Sequence, residues 1–137
     1  DYYKIKLEKQ IEKKTNREVL HGAVKMMLKL IYQALEDKKG EDIVMIDISQ
    51  VSVLADYFVI CSAGNDSQIQ ALVDNVDEKM HENGYQIRQQ EGRNSGTWVL
   101  LDYGDVIVHI FERENRSFYN LERIWNDGRR ILPEELS

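Results

Sequence analysis

The chain has 137 residues, 42% of them hydrophobic and 31% charged, with eight Gly, one Pro and one Cys. That is one domain's worth of protein, and the composition excludes collagen-like, low-complexity and extensively disordered chains. No apolar run approaches the ~20 residues of a membrane-spanning helix, and the lone Cys61 excludes an internal disulfide and a four-cysteine zinc site.

The net charge of −6 is unevenly placed. Residues 1–22 hold six Lys/Arg against four Asp/Glu (+2), leaving twelve against twenty (−8) for residues 23–137. An acidic body is a poor primary binder of nucleic acid, whose phosphates dominate affinity, and a good counter-surface for a basic protein. The same acidity also serves solubility alone.

Residues 1–22 mix charges at short spacing without a firm apolar stripe, so they read as a mobile extension or the remnant of something upstream. The segment is too rich in acids for a mitochondrial transit peptide. From residue 23 to 131 the periodicity is that of a folded domain, with 132–137 a short tail. Val24, Met27, Leu28, Ile31 and Leu35 recur at helical spacing, and Lys38, Lys39 and Gly40 form a C-terminal stop. Asp42–Ser49 and Asp56–Cys61 read as buried strands joined by a short connection. A second helix starts at Asn65 or Asp66 as N-cap and carries Ile69, Leu72, Val73, Val76 and Met80 on one stripe, closing at Asn83-Gly84. Tyr85–Glu91 is a third strand. Thr97–Asp102 and Asp105–Phe111 form a hairpin across Tyr103-Gly104. A last helix is expected over Asn115–Asn126, with Phe118, Leu121 and Trp125 inward, and Pro133 should end regular structure. The expected fold class is α/β, with a five-stranded mixed β-sheet, flanking helices and the order α-β-β-α-β-β-β-α.

A search for catalytic chemistry finds little. His21, His81 and His109 have no ligand-like spacing, and only His109, inside a strand, is placed like a site residue. Its ordinary role is a satisfied, half-buried histidine. A Cys61–His109 nucleophile pair stays open in principle, yet no cationic cluster flanks the thiol to lower its pKa. Gly92–Gly96 matches neither a P-loop nor G-x-G-x-x-G, and Asp47-Ile48-Ser49 offers one carboxylate where two-metal chemistry wants two. No cofactor or metal is expected, and no enzymatic activity.

One strand is unusual. Trp98 and Leu100 share one face of it and Val99 and Leu101 the other, so both faces are apolar. Either helices cover both, or Trp98 and Leu100 are left for a protein partner.

Four blocks carry a resemblance: Leu35–Ile43 (LEDKKGEDI), Ala55–Cys61 (ADYFVIC), Trp98–Phe111 (WVLLDYGDVIVHIF) and Tyr119–Trp125 (YNLERIW). In order and spacing they resemble the ribosomal silencing factor (RsfS, Iojap) family over about residues 26–128. The resemblance implies a nucleotidyltransferase-like fold without the catalytic carboxylates. It also implies a cytoplasmic, non-enzymatic repressor of translation, commonly a homodimer when free. Such a factor binds a basic protein of the large ribosomal subunit (ribosomal protein number fourteen) and blocks joining of the small subunit under nutrient limitation. The implied partner-binding residues are Trp98 and Leu100, from the family's Trp-x-Leu positions. Asp102, Asp105 and Glu112 are added on electrostatic grounds as complements to a basic partner. The competing expectation is a divergent nucleotidyltransferase-like nucleotide-binding protein, and a third is an assembly module that uses the apolar hairpin face for self-association alone.

Overall fold

Seven apolar side chains of residues 22–37 fall on one stripe, and in the computed structural model these residues form helix α1. The structure describes residue 4, residues 22–119 and residues 127–137. Val24, Met27, Leu28, Leu30, Ile31, Ala34 and Leu35 are all buried, as expected where burial of one face rather than propensity holds a helix. The stop works differently from the expected glycine cap. Lys39, at φ 59°, takes the left-handed position. Gly40 is needed for space, since a Cβ there would lie 2.5 Å from Cys61 Sγ.

Strands β1 (Glu41–Asp47) and β2 (Tyr57–Ala63) follow, then helix α2 (Asp66–Glu82). Asn65 is the N-cap of α2, its side chain accepting from the Gln68 amide at 2.8 Å, and the five predicted stripe residues are the buried ones. Strand β3 is Gln89–Glu91, β4 Trp98–Asp102 and β5 Val106–Glu112. The third strand is shorter than the predicted Tyr85–Glu91: residues 85–88 are irregular, and pairing starts at Gln89, opposite Asp102, where β4 ends. The β4–β5 turn includes Asp105, whose carbonyl is committed to the amides of Asp56 and Tyr57.

The sheet has six strands in the order β3-β4-β5-β2-β1-β6, one more than predicted. The addition is β6 (Arg129–Ile131), which pairs antiparallel with β1. Three residues are too few for alternation to announce a strand, and only the exposed edge of β1 recruits them. β2 and β5 pair in parallel and the other neighbours antiparallel, so the sheet is mixed as expected. Pro133 does not end regular structure: a 3-10 turn spans Pro133–Leu136, and Leu136 of the 132–137 segment is buried in the core. Where a helix was expected from Asn115, a 3-10 helix spans Arg113–Tyr119. The predicted inward residues Phe118, Leu121 and Trp125 lie outside the residues whose side chains are described, as does the 1–22 extension apart from residues 4 and 22.

Strand alternation divides the core in two. One sheet face, with Met45, Val59, Cys61, Val99, Leu101, Val108 and Ile110, packs under α1 and α2. The helices are tied together by Asn75 Nδ2 donating to the Ala34 carbonyl at 2.8 Å. Tyr103 Oη donates to Asp77 at 3.2 Å and pins the hairpin to α2. The other face carries a separate cluster of Ile46, Ile48, Phe58, Ile60, Ile107 and Phe111, with Val44, Trp98 and Leu100 at its margin.

Candidate functional site

The register aligns this second face into cross-strand rows. One runs Val44, Ile60, His109, Leu100, Glu91 across β1, β2, β5, β4 and β3. The next runs Arg130, Ile46, Phe58, Ile107, Asp102, Gln89 across all six strands. A third pairs Phe111 with Trp98. Residues directly opposite in a sheet project to the same side, so the face is apolar at its centre, acidic towards β3 and basic at β6.

Trp98 is built into this face. Its ring stacks on Phe111 with centroids 5.4 Å apart, and its Nε1 donates to His109 Nδ1 at 3.1 Å. His109 is 4% exposed and meets Phe58 edge-on. Burial depresses its pKa to about 4, from 6.5. The imidazole is therefore neutral near pH 7 and acts as an acceptor. The expectation of a satisfied histidine holds for Nδ1 alone: among the described residues, Nε2 is buried without a hydrogen-bond partner.

The Cys61–His109 nucleophile pair is ruled out by the sheet. Ile60, not Cys61, is the register partner of His109, so the thiol projects to the helix-covered face and the imidazole to the other. Burial pushes the Cys61 thiol up to about 12, against a weaker opposing effect of Arg116. A thiol this protonated is packing, not a nucleophile.

The five sequence-predicted partner residues are only partly gathered. Trp98, Leu100 and Asp102 share one face of β4, each half-buried. Asp102 also caps its own hairpin, one carboxylate oxygen accepting the Gly104 amide at 2.8 Å. Asp105 lies in the turn at the opposite end of β4 from Trp98. Glu112 is next to Trp98 along the ladder, its backbone N–H donating to the Thr97 carbonyl at 2.8 Å. It follows Phe111, though, and so points to the other face, where Asn115 reaches its carboxylate at 3.3 Å.

Sequence reasoning missed three residues. Glu91 is exposed directly opposite Leu100, invisible without the β3–β4 register. Val53 and Leu54, 93% and 75% exposed, stand on the loop that borders the second cluster through Ile48 and Ala55. Their apolar character in a loop was the available signal.

Among the described residues, no three His, Cys, Asp or Glu side chains converge as metal ligands, and no helix is long and apolar enough to cross a membrane. The geometry offers an aromatic–aliphatic platform with an acidic flank, which suits protein recognition.

The comparisons with known proteins agree in direction. The family described as ribosomal silencing factor during starvation (RsfS) matches residues 22–137. The chain is 44% identical over 104 residues to ribosomal silencing factor RsfS of Bacillus subtilis, covering 76% of this chain and 88% of that protein. It is 39% identical over 102 residues to RsfS of Halalkalibacterium halodurans, covering 74% and 87%. A solved structure from Chromobacterium violaceum superposes with a TM-score of 0.71 at 38% identity, covering 74% of this chain and 84% of that one. With a family match spanning residues 22–137 and relatives matched over most of their length, this chain belongs to the ribosomal silencing factor (RsfS) family.

Proposed function

We propose that this protein is a ribosomal silencing factor that acts in the cytoplasm by occupying a surface, not by catalysis. It binds a basic protein of the large ribosomal subunit, ribosomal protein number fourteen, and sterically blocks joining of the small subunit when nutrients are limiting. The observation that carries this reading is the Trp98–Leu100 pair, half-exposed at the acidic margin of the second sheet face. A fixed indole beside a leucine is the kind of anchor that dominates protein interfaces. The acidic flank of Glu91 and Asp102 complements a basic partner and rejects acidic ones. The same apolar face supplies the contact for a homodimer in the free protein.

Sucrose-gradient sedimentation with separated subunits tests the reading. The protein is expected to co-migrate with large subunits and to deplete joined ribosomes when small subunits are added. Trp98→Ala should keep its fold by circular dichroism and weaken large-subunit binding roughly 30- to 1,000-fold, the loss of a ~2–4 kcal/mol hot spot. Co-migration with small subunits alone, or with neither, would overturn it.

A further inference from the structure

Beside Trp98 the surface holds a groove of about 200 Å³ lined by Glu91, Gly92, Ser95, Thr97, Trp98 and Leu100. That is below the roughly 300–1,000 Å³ of small-molecule pockets and suits one long side chain. Two of its walls are apolar, the indole and Leu100. A third is the exposed carboxylate of Glu91, which is directly opposite Leu100 and accepts from Gln89 Nε2. The nearest cation in sequence, Arg93, is turned away: its guanidinium pairs with Asp74 on α2. Among the described residues Glu91 has no cationic partner.

We infer that this groove receives a single lysine or arginine side chain of the docked basic protein, with Glu91 as the carboxylate that pairs with it. The inference rests on the docking proposed above and names the residue that selects charge within it. An apolar side chain filling the groove would desolvate Glu91 without pairing it, which is costly. An acidic one would meet like charge. A basic side chain satisfies every wall: its methylene stem lies along Leu100 and the indole, a face that also attracts cations. Its head then reaches the carboxylate.

The test measures binding of the full chain to purified large subunits across a salt series. Glu91→Gln is expected to weaken binding about ten-fold at low salt and to flatten its salt dependence, since one attractive pair is gone. Glu91→Lys is expected to weaken it a hundred-fold or more. Glu82→Lys, an equal change of net charge at the exposed end of α2, is expected to stay within about three-fold of wild type. Unchanged thermal midpoints establish that the variants fold. Wild-type affinity for Glu91→Lys, or a loss no greater than that of Glu82→Lys, would overturn the groove while leaving the docking reading standing, provided Trp98→Ala still shows its weakened binding. A wild-type protein that binds no large subunits would overturn both.

Discussion

The Trp98 indole donates from Nε1 to Nδ1 of His109, at 3.1 Å, and this contact sets the protonation of the imidazole. An indole N–H can only donate, so Nδ1 must accept, and the imidazole proton must sit on Nε2. Among the described residues Nε2 is buried with no acceptor, a penalty of about 1–3 kcal/mol. The fold accepts an unsatisfied donor in return for one fixed orientation of the tryptophan that faces the groove.

A pH dependence follows. In the unfolded chain His109 binds a proton below pH 6.5, but in the fold only below about 4. Between these values the unfolded state holds more protons, so stability falls as pH drops from 6.5 to 4 and this contribution levels off below. The loss is on the order of 3 kcal/mol over that window. Urea unfolding of wild type and His109→Gln across pH 4–7 checks it. The glutamine keeps an acceptor for the indole and cannot charge, so its curve should be flatter, and parallel curves would count against the assignment.

Gly40 and Lys39 should respond oppositely to substitution. Gly40→Ala places a methyl 2.5 Å from Cys61 Sγ and 3.3 Å from Leu72 Cδ2, an overpacking cost of about 1–3 kcal/mol. Lys39→Gly relieves a left-handed lysine at φ 59° and should be neutral or stabilising by under about 1 kcal/mol. Thermal or denaturant midpoints of the two variants give the signs directly.

The β3–β4 connection depends on Gly92. Its φ is 79°, and a Cβ there would sit 2.1 Å from the Trp98 carbonyl oxygen. Gly92→Ala is expected to cost about 3 kcal/mol. Amide exchange should accelerate first at Gln89–Glu91 and Trp98–Asp102, before the β2–β5 centre of the sheet loosens.

Cys61 is fully buried and its thiol is raised to about 12. Native protein at pH 8 should therefore react with a thiol reagent only through unfolding. The expected result is a labelling rate that tracks denaturant concentration and is negligible without it. Fast labelling of the native protein would mean that the site opens locally.

Much of the helical structure was legible in sequence because helical burial has a long period. The stripe from Ile69 to Met80 repeats over three turns, and Asn65 announces its start. The hairpin was legible too, since Gly104 (φ 89°) sits between two continuous apolar runs. β6 was not: Arg129-Arg130-Ile131 carries no pattern and becomes a strand only through its pairing with β1.

The candidate site divides in the same way. Alternation placed Trp98 and Leu100 on one face of their strand, and the family resemblance singled them out. Glu112 was grouped with them on its charge, yet one residue of offset from Phe111 turns it to the other face.

The order of residues by itself determined the mixed α/β class, the buried stripes, the tryptophan strand and the family, because these are local patterns of polarity and spacing. Only the tertiary structure decided which strands are neighbours and in what register. That pairing separates Cys61 from His109, brings His109 under Trp98 and stands Glu91 opposite Leu100. Cross-strand hydrogen bonds join residues distant in sequence, and no local pattern encodes a partner that lies elsewhere in the chain.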